Sequence, residues 1–230
     1  MLARLLWSEE IAPEVRHFEF ELPEVDDFRF TPGQFVSVSG AWNGKTITRA
    51  YSIASEPYGN RFALCLNRVR EGRMSPRLFD LQPGETIPCK GPFGSFTLRD
   101  APGDILMVAT GTGVAPFRSM IRACLEKDDQ RRWTLLLGVR YEQSILYRAE
   151  FEQWERACPR FRFLPTLTRP GPDWRGLTGR VQAHVEGLAA GRADLQVYAC
   201  GMKAMVNDVR AMLAGAGWDR ARIVTEKYDA

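Results

Sequence analysis

The sequence has few of the residues that carry acid–base and metal chemistry. Its 230 residues contain only two histidines, His17 and His184. Neither has a serine, cysteine or histidine partner nearby in sequence, so both are predicted to be ordinary surface or boundary residues. The five cysteines lie far apart and form no CxxC group, which argues against a zinc site, an iron–sulfur cluster or a secreted disulfide framework within this chain. We therefore expect no metal centre.

Long apolar runs and a strong charge excess are missing too. No run approaches the roughly 20 residues that span a bilayer, and the start, MLARLLWSEE, reaches two acids before a signal-peptide core forms. We therefore predict a cytoplasmic protein with no membrane partner. The net charge of +3 is too small to indicate a nucleic-acid partner. A chain of 230 residues that is 45% hydrophobic favours two ordinary soluble domains.

The first part of the chain, up to about residue 98, has a β pattern. Apolar and polar residues alternate over 18–22 and 62–67, which predicts two half-buried strands. Turn signals recur at short intervals, as in Pro32-Gly33, Asn43-Gly44 and Pro83-Gly84. About six strands separated by such turns predict an antiparallel Greek-key barrel. One helix interrupts it, with Ser75 predicted as the N-cap and Pro76 as its first residue.

After residue 100 the pattern changes to alternating strands and helices. The strand candidates are 105–109, 133–139, 161–167, 195–200 and 222–226. Five strands in this arrangement predict a doubly wound parallel sheet that binds ligands at the carboxyl ends of its strands. The predicted domains are therefore 1–100 and 101–230. On the last helix one apolar stripe is predicted to be core: Met202, Met205, Val206, Val209, Met212 and Leu213.

A glycine turn joins the first strand of the second domain to a helix. The sequence Thr110-Gly111-Thr112-Gly113 follows an apolar strand, and Pro116 suits the first turn of an amphipathic helix. Two glycines let a pyrophosphate approach the backbone, and the free N–H groups at the helix start favour an anion. The turn therefore predicts a dinucleotide site, although a tight turn that binds nothing is the alternative.

The order of four segments resembles the ferredoxin–NADP reductase superfamily over essentially the whole chain. They are Arg49-Ala50-Tyr51-Ser52, Gly72-Arg73-Met74-Ser75, Gly111-Thr112-Gly113-Val114-Ala115-Pro116 and Cys200-Gly201-Met202. The second segment, within Glu71–Leu78, is especially similar to the bacterial ferredoxin or flavodoxin reductases. The resemblance implies an FAD-binding barrel, an NADP-binding α/β domain, and FAD and NADPH as cofactors.

The resemblance also implies roles for individual residues in FAD binding. Arg49 is expected on the FAD pyrophosphate, Tyr51 against the isoalloxazine, and Ser52 near flavin N5. The whole expected FAD set is Arg49, Ala50, Tyr51, Ser52, Asn67, Arg68, Val69, Arg73, Met74, Ser75, Thr112 and Tyr228. The expected catalytic residues are Ser52, Cys200 and Glu226, where the first and third influence flavin protonation and Cys200 shapes the nicotinamide pocket. Cys200 as a covalent nucleophile is the alternative, but no histidine accompanies it.

Three arginines favour NADPH over NADH. Arg140 and Arg169 each follow a predicted strand and Arg180 begins the next helix, so they lie where a 2′-phosphate is bound by guanidinium groups. The expected NADP set is Gly111, Thr112, Gly113, Arg140, Thr168, Arg169, Arg180, Cys200, Gly201 and Met202. Ordinary surface arginines at strand ends are the alternative.

The leading functional hypothesis is a reductase that transfers hydride between NADPH and FAD and single electrons to or from ferredoxin or flavodoxin. Between residues 29 and 77 there are eight basic residues against two acids, which indicates an anionic cofactor, an acidic carrier protein, or both. A monomer is expected. The alternatives are the reductase component of an oxygenase system, a flavin reductase, and a non-catalytic binding module.

Overall fold

The computed structural model describes residues 1–125, 127, 129–192 and 194–228. These residues form two compact units. We call Met1–Leu98 together with the helix at Ala115–Leu125 the barrel unit, and Arg99–Val114 together with the residues from Lys127 onward the sheet unit. Residues 229 and 230, at the end of the second predicted domain, lie outside the described residues. The helices of the described part are too short or too polar to cross a bilayer.

The barrel unit holds an antiparallel sheet of six strands within the described residues. Its elements are β1 (Leu2–Ala12), β2 (Val15–Glu21), β3 (Phe35–Trp42), β4 (Lys45–Ser52), β5 (Arg61–Asn67), helix α1 (Ser75–Asp80) and β6 (Thr86–Phe93). The strand order is β4-β3-β6-β1-β2-β5, so β6 returns to lie between β1 and β3. A bridge between Ile53 and Leu64 links the two edges of the sheet. The predicted six-stranded Greek-key barrel is therefore confirmed.

Apolar side chains from every strand fill the barrel. Phe18, Phe20 and Phe62 are among its fully buried side chains, and helix α1 adds Leu78 and Phe79 to the same core. Burying rings of this size removes a large apolar area from water, which is the main stabilising term of such a unit.

The prediction that β2 and β5 are half-buried is wrong. His17 and Glu19 are only 6% and 7% exposed, although their neighbours Phe18 and Phe20 fill the core on the other face. Part of the outer face is covered by Trp7, which stacks on His17 at 4.9 Å. The helix α2 (Ala115–Leu125) belongs to the same unit. The prediction of a surface or boundary position is therefore wrong for His17, whereas His184 is half-buried at a boundary.

Helix α2 is attached to the barrel unit by polar and aromatic contacts. Ser119 Oγ donates to the carbonyl of Ser55 at 2.5 Å, and Arg118 donates to the carbonyl of Ala54 at 2.8 Å. The rings of Phe96 and Phe117 meet at 5.7 Å. The amphipathic helix predicted after the glycine turn thus exists, and its apolar face contributes to the barrel unit. The predicted domain boundary at residues 100 and 101 stays a prediction.

The sheet unit contains, in the described residues, six parallel strands in the order β10-β9-β8-β7-β11-β12. The elements are β7 (Ile105–Thr110), β8 (Trp133–Val139), α3 (Arg148–Ala157), β9 (Phe161–Leu167), β10 (Leu177–Thr178), α4 (Gln182–Ala189), β11 (Gln196–Met202), α5 (Lys203–Gly215) and β12 (Ile223–Tyr228). The predicted parallel sheet is confirmed, but it has six strands where five were predicted. The additional strand, β10, has two residues, too few for a periodicity to reveal.

Two helix predictions in the sheet unit need correction at their ends. Met202 is 61% exposed and precedes α5, so it does not belong to the buried stripe, whereas Met205, Val206, Val209 and Leu213 do. Helix α4 begins at Gln182, so Arg180 lies two residues before the helix. Both residues are therefore accessible at the carboxyl side of a strand.

Candidate functional site

The predicted flavin segment occupies the end of β4. Arg49 and Ala50 are exposed, Tyr51 packs partly against the barrel core, and Ser52 is buried. The Ile53–Leu64 bridge is antiparallel, so the residues before Ile53 lie near those after Leu64. The end of β4 and the end of β5 thus flank one region of the barrel unit.

Tyr51 keeps its proton across the physiological range. Burial raises the pKa of Tyr51 to about 12, and the charge of Arg49 offsets only part of this effect. The phenol therefore remains a neutral hydrogen-bond donor with an apolar ring, which suits a residue that lies against a flat heteroaromatic ligand.

The loop between β5 and α1 contains a tight turn that runs from Val69 to Gly72. Gly72 N–H donates to the carbonyl of Val69 at 2.8 Å, and a Cβ at Gly72 would lie 2.9 Å from that oxygen. Val69 N–H in turn donates to Ser75 Oγ at 2.9 Å. Asn67, Arg68 and Val69 are exposed along this loop, so the structure brings most of the predicted FAD residues to the surface of one unit.

One prediction about the start of α1 is corrected by the geometry, and the role of a neighbouring residue is narrowed. Ser75 is the first residue of the helix and not its N-cap, because its hydroxyl is occupied by the N–H of Val69. Met74 is 2% exposed and belongs to the barrel core, so only its backbone can reach a cofactor. Arg73, by contrast, is exposed.

A group of cations in the barrel unit fits a dinucleotide pyrophosphate. Among the described residues, no carboxylate lies within ion-pair distance of Lys45, Arg49, Arg73 or Arg77. Arg49 donates to the carbonyl of its neighbour Thr48, at 2.9 Å. Unpaired guanidinium groups beside a half-buried tyrosine are a suitable environment for a phosphorylated flavin.

In the sheet unit the glycine turn Gly111–Val114 forms a single 3-10 turn after β7. Gly111 has φ +52, and a Cβ at this position would point into open space. Thr112 is half-buried in the same turn. The turn follows the strand at which the chain order of the sheet reverses, between β7 and β11, which is the place where open α/β sheets bind ligands.

Gly113 has a packing role that the sequence did not reveal. A Cβ at Gly113 would overlap the carbonyl oxygen of Cys200, so this glycine allows the turn to pack on β11, and its contact with a phosphate stays a prediction. A Cβ at Gly201, where φ is +133, would overlap Thr110 Oγ1. The same hydroxyl accepts a hydrogen bond from Met202 N–H at 3.3 Å. Thr110 therefore joins the two segments, a role that the sequence analysis missed.

Cys200, Glu226 and Tyr228 meet at the carboxyl end of β11 and β12. Cys200 pairs with Glu226 in the sheet register, and its Sγ lies 4.0 Å from Glu226 Oε2. Complete burial, and then the charge of Glu226, raise the pKa of the Cys200 thiol well above its usual range, while a hydrogen bond with Tyr228 acts in the opposite direction. Cys200 is thus a neutral thiol, which disfavours a nucleophilic role. Tyr228 lies beside this thiol, and its contact with a flavin remains a prediction.

The three predicted phosphate-binding arginines follow three adjacent strands. Arg140 comes directly after β8, Arg169 lies two residues after β9, and Arg180 lies two residues after β10. The N–H of Arg169 donates to the carbonyl of Arg140 at 2.9 Å, and all three arginines are exposed, as is Thr168. One guanidinium N–H of Arg169 also donates to Tyr141 Oη at 3.1 Å. Tyr141 was not predicted, although its position directly after Arg140 at a strand end was a usable signal.

Comparison with known proteins gives the same division of the chain into two functional parts. Residues 3–98 match the family of the oxidoreductase FAD-binding domain, and residues 107–211 match that of the oxidoreductase NAD-binding domain. The chain is 42% identical to ferredoxin–NADP reductase B of Sorangium cellulosum over 99% of its own length and 97% of that protein.

More distant relatives extend the comparison. The chain is 29% identical to the glycine betaine monooxygenase reductase subunit of Chromohalobacter salexigens, covering 94% of this chain and 61% of that one. A ferredoxin NADP+ reductase structure from Neisseria gonorrhoeae superposes with a TM-score of 0.84, with 24% identity and coverage of 99% and 98%. That structure shares the fold.

Fold and comparisons together define a two-domain flavoprotein oxidoreductase with an FAD-binding barrel and a nicotinamide-dinucleotide-binding sheet domain. Within this class, the chain belongs to the ferredoxin–NADP reductase family. The predicted family, enzyme class and pair of cofactor domains are confirmed, and an electron-carrier protein is the partner that such an enzyme requires.

Proposed function

We propose that this protein transfers hydride between NADPH and FAD, and single electrons to or from an acidic ferredoxin or flavodoxin. The observation that carries the proposal is the 42% identity to a ferredoxin–NADP reductase over nearly the full length of both chains. Bound FAD supplies the chemistry, because it accepts two electrons as hydride and releases them one at a time. We propose a monomer as the working unit.

The protein's own residues orient the cofactors and hold protons. Arg49 and Arg73 would neutralise the FAD pyrophosphate, Tyr51 would lie against the ring system, and the Ser52 hydroxyl would donate a hydrogen bond near flavin N5. Glu226 would accept or supply a proton, and the neutral Cys200 thiol beside it would shape the nicotinamide pocket. The open backbone at Gly111 and Thr112 receives the nucleotide pyrophosphate. None of these steps requires a covalent enzyme intermediate.

NADPH is the proposed reductant because Arg140, Arg169 and Arg180 follow adjacent strands of the sheet unit. A ribose 2′-phosphate is a dianion, and several guanidinium groups at one sheet edge bind it with charge-assisted hydrogen bonds. NADH lacks this phosphate and gains nothing from the arginines. The strand order therefore supports a role for these three arginines in selecting NADPH over NADH, although they lie far apart in sequence.

Steady-state kinetics with both nucleotides tests this proposal. Replacing Arg169 and Arg180 together with alanine is expected to raise the KM for NADPH at least about 100-fold, since each charge-assisted bond contributes about 1.5–3 kcal/mol and two are lost, while the KM for NADH stays nearly unchanged. Arg162→Ala, an exposed arginine within β9, is the matched control. Equal losses with both nucleotides, or a wild-type preference for NADH, would contradict the proposal.

A second candidate is the reductase component of an oxygenase system. The similarity to a glycine betaine monooxygenase reductase subunit favours it, although this chain covers only 61% of that protein. Anaerobic reduction by NADPH, followed by addition of purified ferredoxin, flavodoxin or oxygenase component, separates the candidates by which acceptor reoxidises the flavin fastest. A flavin reductase would lose FAD during gel filtration. Failure of every pyridine nucleotide to bleach the flavin would indicate a non-catalytic module.

A further inference from the structure

The hairpin formed by β3 and β4 carries an exposed tryptophan at its tip. Its two turn residues, Asn43 and Gly44, have φ of +47 and +73, the pair of left-handed conformations that a tight hairpin requires. Trp42 lies directly opposite Lys45 in the register and is 45% exposed. The hairpin tip therefore presents the face of a large aromatic ring to a ligand.

The register places Trp42 on the same face as two of the predicted flavin residues, Arg49 and Tyr51. Directly opposed residues of an antiparallel pair share a face, and so do residues two apart in a strand. Lys45, Ile47, Arg49 and Tyr51 therefore form one row along β4, with Trp42 at its far end. The face of this row is the one on which Ile47 and Tyr51 contact the barrel core. The distance from Tyr51 to Lys45 is about 20 Å at the usual strand rise.

A further cation reaches the middle of this row from helix α1. Gly40 is opposite Ile47, and a Cβ at Gly40 would lie 3.3 Å from a guanidinium nitrogen of Arg77. The absence of a side chain at Gly40 leaves room for Arg77, which donates to the carbonyl of Ala41 at 3.3 Å. Lys45 and Arg77 have no carboxylate partner among the described residues. The Tyr51 ring therefore lies at one end of this face. The guanidinium groups of Arg49 and Arg77 follow it, and the Trp42 ring lies beside the Lys45 ammonium group at the other end.

We propose that Trp42, Lys45 and Arg77 form the subsite for the AMP half of FAD, and that this subsite selects FAD over FMN. The Trp42 ring offers a flat face for stacking on adenine, while Lys45 and Arg77 supply positive charge to the adjacent phosphate. FMN ends at its first phosphate and reaches Arg49 only. The inference rests on the proposed placement of flavin at Tyr51 and Arg49, and it adds the residues that distinguish the two flavins.

Binding of FAD and of FMN to the full-length chain, freed of flavin and titrated by fluorescence, tests the subsite. Trp42→Ala is expected to raise the Kd for FAD roughly 5- to 150-fold, the range that base–aromatic stacking spans, and to leave the Kd for FMN unchanged. Trp42→Phe keeps a stacking ring and should retain most of the affinity for FAD. Trp7→Ala is the matched control, because Trp7 is also 45% exposed but lies on β1 and stacks on His17.

The possible results separate this inference from the proposed function. If wild-type protein binds FAD tightly and Trp42→Ala leaves its Kd unchanged, or weakens FAD and FMN equally, the subsite is wrong and the proposed function stands. If the wild-type chain binds neither flavin, both are wrong. Circular dichroism of Trp42→Ala shows whether the hairpin residue has any structural role, and an unchanged spectrum with selective loss of FAD supports the subsite.

Discussion

The two units place their proposed anion-binding groups by different geometric means. In the barrel unit, Lys45, Arg49 and Tyr51 lie along one strand of an antiparallel sheet, so spacing in sequence converts directly into distance along a ligand. In the sheet unit, Arg140 and Arg169 are far apart in sequence and become neighbours because parallel strands end at one edge. A short segment thus encodes the first site, and only the whole topology assembles the second.

The largest expected effect is that of Arg49→Ala in the barrel unit, which tests the proposed site on β4. Loss of one charge-assisted contact to the pyrophosphate, about 1.5–3 kcal/mol, should raise the Kd for FAD about 10- to 150-fold and scarcely alter nucleotide binding to the sheet unit. Equilibrium titration with FAD measures the first effect. Arg61→Ala, an exposed arginine on β5, is the control. Full flavin occupancy in purified Arg49→Ala would remove Arg49 from the site.

An effect of similar or slightly smaller size is expected from the glycine turn of the sheet unit, where the packing of Gly113 and the open space at Gly111 can be tested separately. Gly113→Ala should destabilise this unit by about 1–3 kcal/mol, because the added methyl group meets a backbone carbonyl of the neighbouring strand. Gly111→Ala meets no atom and carries only the left-handed backbone strain of about 1 kcal/mol. Thermal unfolding of both variants compares the two losses of stability. If Gly113→Ala is as stable as wild type, the contact with Cys200 is not a structural requirement.

The smallest effect concerns the carrier protein. Three of the basic residues between 29 and 77 pair with nearby carboxylates, Arg29 with Asp27, Arg68 with Asp80 and Arg70 with Glu14, which reduces the positive surplus inferred from the sequence. An acidic carrier should still associate several-fold more slowly as the Debye length falls from about 30 Å at 0.01 M to about 8 Å at 0.15 M. Stopped-flow reduction of the carrier measures this dependence, with an uncharged quinone as the control acceptor. A carrier rate indifferent to salt would argue against an electrostatic docking surface.

The spacing of apolar residues and the positions of turn-forming glycine and proline predicted most of the architecture. The strands at 133–139 and 161–167 have the predicted bounds, because a buried parallel strand is a continuous apolar run that ends abruptly. The barrel was predictable since its turns carry glycine and proline at short spacing. These features are local, so neighbouring residues suffice to reveal them.

Features that depend on contacts distant in sequence were not predictable from the pattern. The burial of His17 and Glu19 follows from Trp7 and from packing on the barrel exterior, which no alternation within β2 records. Ser75 looks like an N-cap, but the N–H of Val69 occupies its hydroxyl. Gly113 resembles a phosphate-approach glycine, and only the neighbouring strand β11 reveals its packing role. Local propensity gives way to tertiary contacts at these positions.

The placement of Arg140, Arg169 and Arg180 on three adjacent strand ends has a consequence for how nucleotide preference can change. Neighbouring strands lie about 4.8 Å apart, so in the proposed site loss of any one guanidinium would leave two others near the same phosphate. A single substitution would therefore shift the preference only partly, and a complete change toward NADH would require coordinated replacements on separate strands. The proposed site would make cofactor choice robust to isolated mutations.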